Sequence, residues 1–165
     1  MSILERINLF SVIVSVLVFG FSGFFVYLNN RKSAINRAFL LFAFVEIVWN
    51  IVNYLSYKFY LSSFTLYLAR ATIFFAVWLV FSIFNFIYNF PKEKAELSKI
   101  YRFILVPFIA FVSLLTLTSF VFNRIEFLNS NVLKIINGPL FFLFGTTIFG
   151  LLIAGITILI KRIKK

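Results

Sequence analysis

Apolar residues run almost unbroken for about twenty positions at a time, five times along the chain, with charged or Asn-rich segments between the runs. A helix rises 1.5 Å per residue, so a run of roughly 20 apolar residues matches the bilayer's hydrocarbon core of about 30 Å. The pattern predicts transmembrane helices over about 7–28, 34–57, 64–90, 101–122 and 140–160. In the first run, Gly20, Phe21 and Ser22 resemble a signal-peptide cleavage site. However, Glu5 and Arg6 cancel before it and the apolar run continues to Leu28, longer than an h-region, so it is kept as a span.

Two connections carry pattern of their own. The segment PKEKAELSKIYR opens with Pro91 and mixes charges, which predicts a short helical turn at the membrane surface. In FNRIEFLNSNVLKIINGP, β-branched and aromatic residues flank Asn129, Ser130 and Asn131, which predicts a hairpin with strands near 121–128 and 132–136. Gly138 and Pro139 then end the second strand and open the fifth helix, with the proline in its first turn. The fold class expected is an all-α polytopic membrane protein: one domain over 1–165, a five-helix bundle with a small extracellular β-hairpin between helices 4 and 5. No internal repeat supports the inverted-repeat plan of many transporters.

Composition sharpens this picture. Of 165 residues, 62% are apolar and 13% charged, and 26 are Phe. Soluble domains average roughly 45–50% apolar and about 25% charged. The chain holds no Cys and no His, which removes disulfides, thiolate chemistry, imidazole bases, His-based metal sites and phosphohistidine from consideration. The expectation is a protein that is not an enzyme, with no catalytic residue, no metal and no cofactor. The net charge of +11 assigns itself to a membrane face rather than to nucleic acid. Eleven basic residues fall in the first and third connections and the tail: Arg31, Lys32, Arg37, Lys92, Lys94, Lys99, Arg102, Lys161, Arg162, Lys164 and Lys165. On the other side stand only Arg6, Lys58, Arg124 and Lys134, so the N-terminus is expected outside and the C-terminus inside, the parity that five crossings require.

Charged side chains within spans are costly, and two stand out, Glu46 and Arg70. Glu46, Asn50 and Asn53 are spaced i, i+4, i+7 and share a helix face. From the helical rise, Asn50 lies about 10 Å and Glu46 about 16 Å below the outer edge, with Arg70 about 9 Å down the next helix. The expectation is a buried cluster of Glu46, Asn50, Asn53 and Arg70 between helices 2 and 3, opening outward. Two readings stand side by side: a ligand-reading or switching site, or polar bonds that only join helices, with Arg70 snorkelling outward. Asn36 and Asn85 reach similar depth, near the inner ends of their helices, and are candidates to bond one another. Trp49 and Trp78 lie deep in their spans and are expected to pack inside the bundle. Gly150 and Ala154 form a small-xxx-small pair for close helix packing within the bundle, with a homo-oligomer as the alternative. Ser11, Ser15 and Ser22 on one face of the first helix read as packing in the same way.

The stretch NRAFLLFAFVEIVWN followed by YLARATIFFAVWLVFSIFNFIYNFP resembles the N-terminal seven-transmembrane region of bacterial sensor histidine kinases. Asn36, Phe39, Trp49, Arg70, Phe90 and Pro91 match that family's positions, and the hairpin ahead of Gly138 is similar too. The resemblance implies a sensory input module in a bacterial cytoplasmic membrane, taking a small ligand and acting on a cytoplasmic signalling protein. Family members continue through two further helices to a kinase region with a phospho-accepting His. This sequence ends at KRIKK without any His, so the expectation is either a fragment of a longer sensor or a stand-alone remnant, without kinase activity. The alternative function is a small transporter or channel subunit that uses the Glu46 and Arg70 cluster.

Overall fold

The computed structural model describes residues 3–59, 64–90, 98–128 and 132–164. Most of the helical turn expected after Pro91, the cations Lys92 and Lys94, the hairpin tip at Asn129, Ser130 and Asn131, and Lys165 lie outside the described residues. In chain order the elements are α1 (Ile3–Asn29), α2 (Ala34–Lys58), α3 (Thr65–Asn89), a π-helical turn (Tyr101–Leu105) running into α4 (Val106–Thr116), β1 (Phe122–Leu128), β2 (Val132–Asn137) and α5 (Phe141–Ile163). Helices α1, α2, α3 and α5 are long and apolar enough to cross a membrane, and the chain is a helical bundle of membrane character.

The sharp reversal between α1 and α2 is encoded locally. Asn30 Oδ1 accepts the backbone N–H groups of Lys32 and Ser33, and the Ser33 hydroxyl caps α2 by accepting from Asn36 N. The Asn36 amide then donates to Val26 O at 2.8 Å and to Asn30 O at 3.2 Å, tying the two helix ends together. Further along, a Cβ on Gly23 would come within 2.7 Å of Ala43 Cβ, so these two small residues let α1 and α2 approach.

Helix α3 is the hub. It packs on α2 along one side and on α4 and α5 along the other, while α1 leans on α2. The main core lies on the second side, where Val77, Phe81, Phe84, Tyr101, Ile109 and Leu151 are buried together. Trp78 packs against this cluster, its ring edge-on to Phe81 at 5.8 Å. On α5 the residue that approaches α3 is Gly155, whose Cβ would meet Ile87 Cδ1 at 3.4 Å and Phe84 Cδ2 at 3.7 Å. Gly150 and Ala154 are instead exposed, with nothing within 4 Å of a Cβ placed on Gly150. The close packing expected of that pair within the bundle is therefore made one residue further on, because position 155 is the one that faces α3.

The fourth helix differs from its predicted bounds. Helical structure ends at Thr116, six residues short of 122, although the sequence stays apolar. At that end Leu117 N and Thr118 N bond to the i−3 carbonyls of Leu114 and Leu115, and the Thr116 and Thr118 hydroxyls donate to Ser113 O and Leu115 O, each at 2.6 Å. From Tyr101 to Thr116 the helix is thus 16 residues, roughly 24 Å at the standard rise. Its first turn is π-helical, with Val106 N–H bonded to Tyr101 O, next to Pro107, which has no N–H to give the preceding turn.

β1 and β2 pair antiparallel, with Ile125 opposite Ile135 and Glu126 opposite Lys134. A bulge takes Asn123 out of register between Phe122 and Arg124. At the base of the ribbon Gly138 N donates to Val121 O at 2.8 Å and Leu140 N to Phe120 O at 2.9 Å. A side chain at Gly138 would collide with the backbone of Ser119 and Phe120, which is why glycine stands there. Pro139 lies two residues before the first helical residue of α5, in the turn rather than in the helix's first turn.

Candidate functional site

The predicted four-residue cluster divides into two. Glu46 and Asn50 do come together on α2: Asn50 Nδ2 donates to Glu46 Oε1 at 2.8 Å and lies 3.0 Å from Glu46 O. The same amide reaches Ser15 Oγ on α1 at 3.1 Å. An amide has two hydrogens for these three acceptors, so the bonds are shared or alternate. The pair therefore faces α1, not α3.

Arg70 turns the other way. Its Nε and Nη2 both donate to Phe122 O, at 3.1 and 2.7 Å, and Nη2 lies 3.3 Å from Asn123 O. Among the described residues no ion pair joins it to Glu46. The helical rise placed Arg70 near Asn50 in height but says nothing of azimuth. The bulge in β1 supplies the physical reason for the choice, since it presents two successive carbonyls at the start of the ribbon to a five-donor guanidinium. Arg70 is thus the anchor of the hairpin on α3.

Beside Asn50, between the hairpin-end halves of α1 and α2, a cavity of about 290 Å³ is lined by Asn8, Ser11, Val12, Asn50, Asn53, Tyr54 and Tyr57. Asn53 is half-buried and belongs to this cavity rather than to a bond with Arg70. Ser11 returns its hydroxyl proton to Ile7 O, and Ser22 likewise to Val18 O, so only Ser15 of the three serines bonds across helices. The cavity wall can both donate and accept hydrogen bonds, with the Glu46 carboxylate one turn deeper behind Asn50. That chemistry suits a compact polar molecule, neutral or positively charged. The sequence reading missed Asn8, Tyr54 and Tyr57; the i, i+3/i+4 spacing of Asn50, Asn53, Tyr54 and Tyr57 was the available signal.

A second polar group closes the opposite, basic end. The Tyr101 hydroxyl donates to Asn85 Oδ1 at 2.7 Å, and Asn89 Nδ2 donates to the same oxygen at 3.0 Å. Tyr101 also stacks on Tyr88 with ring centroids 4.9 Å apart. Arg162, in the last turn of α5, donates to Ile87 O at 2.8 Å and Tyr88 O at 2.9 Å, carbonyls at the C-terminal end of α3. Asn85 and Asn36, expected as partners, bond elsewhere, because Asn36 is used in the α1–α2 reversal. Trp49 is half-buried, and its indole N–H is buried without a hydrogen-bond partner among the described residues. Comparison with protein-family models, with curated proteins and with solved structures returns no match to this chain.

Proposed function

We propose that the chain is a membrane-embedded signal-input module in the cytoplasmic membrane of a bacterium, similar in role to the sensor region of histidine kinases and without kinase or other enzymatic activity of its own. The N-terminus and the hairpin are outside, the C-terminus inside, and a cytoplasmic signalling protein receives the output. The observation that carries this reading is the polar cavity between α1 and α2 next to the Asn50, Ser15 and Glu46 contact. A ligand that engages Asn50 competes for the same amide hydrogens that join α1 to α2. Occupancy therefore biases the spacing of those helices, and the short 30–33 connection carries that bias to the basic end.

The test fuses the chain, after Lys165, to a phosphotransfer reporter and applies amino acids, amines and sugars from outside. A compound that changes reporter output in the wild type, and loses its effect in Asn50→Leu and Asn53→Leu variants that reach the membrane in normal amount, supports the proposal. Output that is indifferent to every compound, together with uptake abolished by Glu46→Gln, moves the chain to the transport reading.

A further inference from the structure

We infer that the groove between α4 and α5 holds an acyl chain of an anionic phospholipid, whose phosphate rests on the lysines and arginine at the groove's basic end. The inference stands apart from the signalling proposal and needs only that the bundle lie in a bilayer. Helices α4 and α5 both pack on α3 but meet each other little, and between them remains a groove of about 300 Å³. Phe84, Leu105, Phe108, Leu143, Gly150 and Ala154 line it. Its two hydroxyls are already committed within their own helix, Thr146 to Phe142 O and Leu143 O, and Thr147 to Leu143 O. Nothing in the wall asks for a polar partner, so the occupant's body is apolar.

The charge lies at one end. On α5 the lining positions 147 and 154 are a heptad apart, and the next position in that series is Lys161. Lys161 and Lys164 are exposed, as are Lys99 and Arg102 at the start of the neighbouring helix. Neither 98–116 nor 141–164 contains an Asp or Glu. Arg162 is used on α3, which leaves these four cations to face the headgroup layer. An apolar groove leading to exposed cations, with no acidic residue among the described residues of either helix, fits an amphiphile with an anionic head. A second copy of the chain packed parallel in the same membrane would bring the same cations against one another, which disfavours it as the occupant.

Native mass spectrometry of the full chain in detergent, titrated with dioleoyl phosphatidylglycerol or with dioleoyl phosphatidylcholine, tests the site. The first phosphatidylglycerol is expected to bind about tenfold more tightly than the first phosphatidylcholine, the scale set by one or two basic residues near a headgroup. Lys161→Gln lowers phosphatidylglycerol affinity by about fivefold and leaves phosphatidylcholine unchanged. Gly150→Leu, placed where nothing now lies within 4 Å, blocks the groove and weakens both lipids. Ala154→Leu serves as a second blocking variant, and far-UV circular dichroism checks the helices of each. Equal wild-type affinity for the two lipids overturns the inference. So does a phosphatidylglycerol preference that a folded blocking variant leaves intact, or a dimer that blocking abolishes while lipid binding is unaffected. If both blocking variants lose their helices, the Lys161→Gln result decides alone.

Discussion

Replacing Arg70 by Met keeps most of the apolar stem and removes the guanidinium that holds β1 on α3. The lost contact is one forked, charge-assisted bond to Phe122 O, at 3.1 and 2.7 Å, with a weaker approach to Asn123 O at 3.3 Å. A hydrogen bond to a charged group contributes roughly 1.5–3 kcal/mol net, so hairpin docking should weaken by about 2–3 kcal/mol. Where the amides exchange through local opening of the hairpin, that is a roughly 30- to 150-fold acceleration. Hydrogen exchange read by mass spectrometry on peptides covering 120–140 measures it, the Gly138 and Leu140 amides being the reporters at the ribbon base. Peptides from the centre of α3 should keep their protection. A double-mutant cycle with Glu46→Gln completes the experiment: the effects should add within about 0.5 kcal/mol, because the two side chains share no partner. Unchanged exchange over 120–140, or a coupling well above that limit, would refute the assignment of Arg70 to the hairpin.

Three further outcomes follow from the same geometry. Gly138→Ala forces a Cβ into the backbone of Ser119 and Phe120 and should cost more than about 2 kcal/mol, read as a lowered Tm in detergent; a neutral effect would mean the turn is not built as described. Tyr101→Phe deletes the hydroxyl that donates to Asn85 at 2.7 Å but keeps the ring stack, for an expected loss of about 1 kcal/mol in equilibrium unfolding. Since the chain has no Cys, single cysteines at Lys32 and Asn123 report sidedness cleanly. An impermeant maleimide applied to intact cells should label Asn123→Cys and spare Lys32→Cys, and the reverse pattern would invert the proposed topology.

What the sequence makes legible here is what depends on distance along one helix. The long apolar runs and the i, i+4 contact of Glu46 with Asn50 are both of that kind. What depends on rotation about a helix axis is not. Arg70 and Asn50 could be matched for height, yet only the packing of α3 between α2 on one side and α4 and α5 on the other determines that Arg70 meets the bulged β1. The same limit applies to α5, where Gly150, Ala154 and Gly155 are alike in composition and only Gly155 faces α3. The early end of α4 had a different source. Apolar character continues through Val121, so hydropathy carries no mark of the turn to i−3 backbone bonding at Leu117 and Thr118, where the helix stops.

Helix α3 is fastened near both ends: Arg70 holds the hairpin near its first turns, and the carbonyls of Ile87 and Tyr88 hold Arg162 at its last. Its 25 residues span about 37 Å. A hydrogen-bonded helix of that length is a stiff element, so it sets the separation between the hairpin contact at Arg70 and the α5 contact at Arg162. The hairpin, α3 and the tail of α5 are thereby joined through one element. The α1–α2 pair, joined to one another by the Ser15 and Asn50 contact and the Gly23 and Ala43 approach, packs on that element through α2.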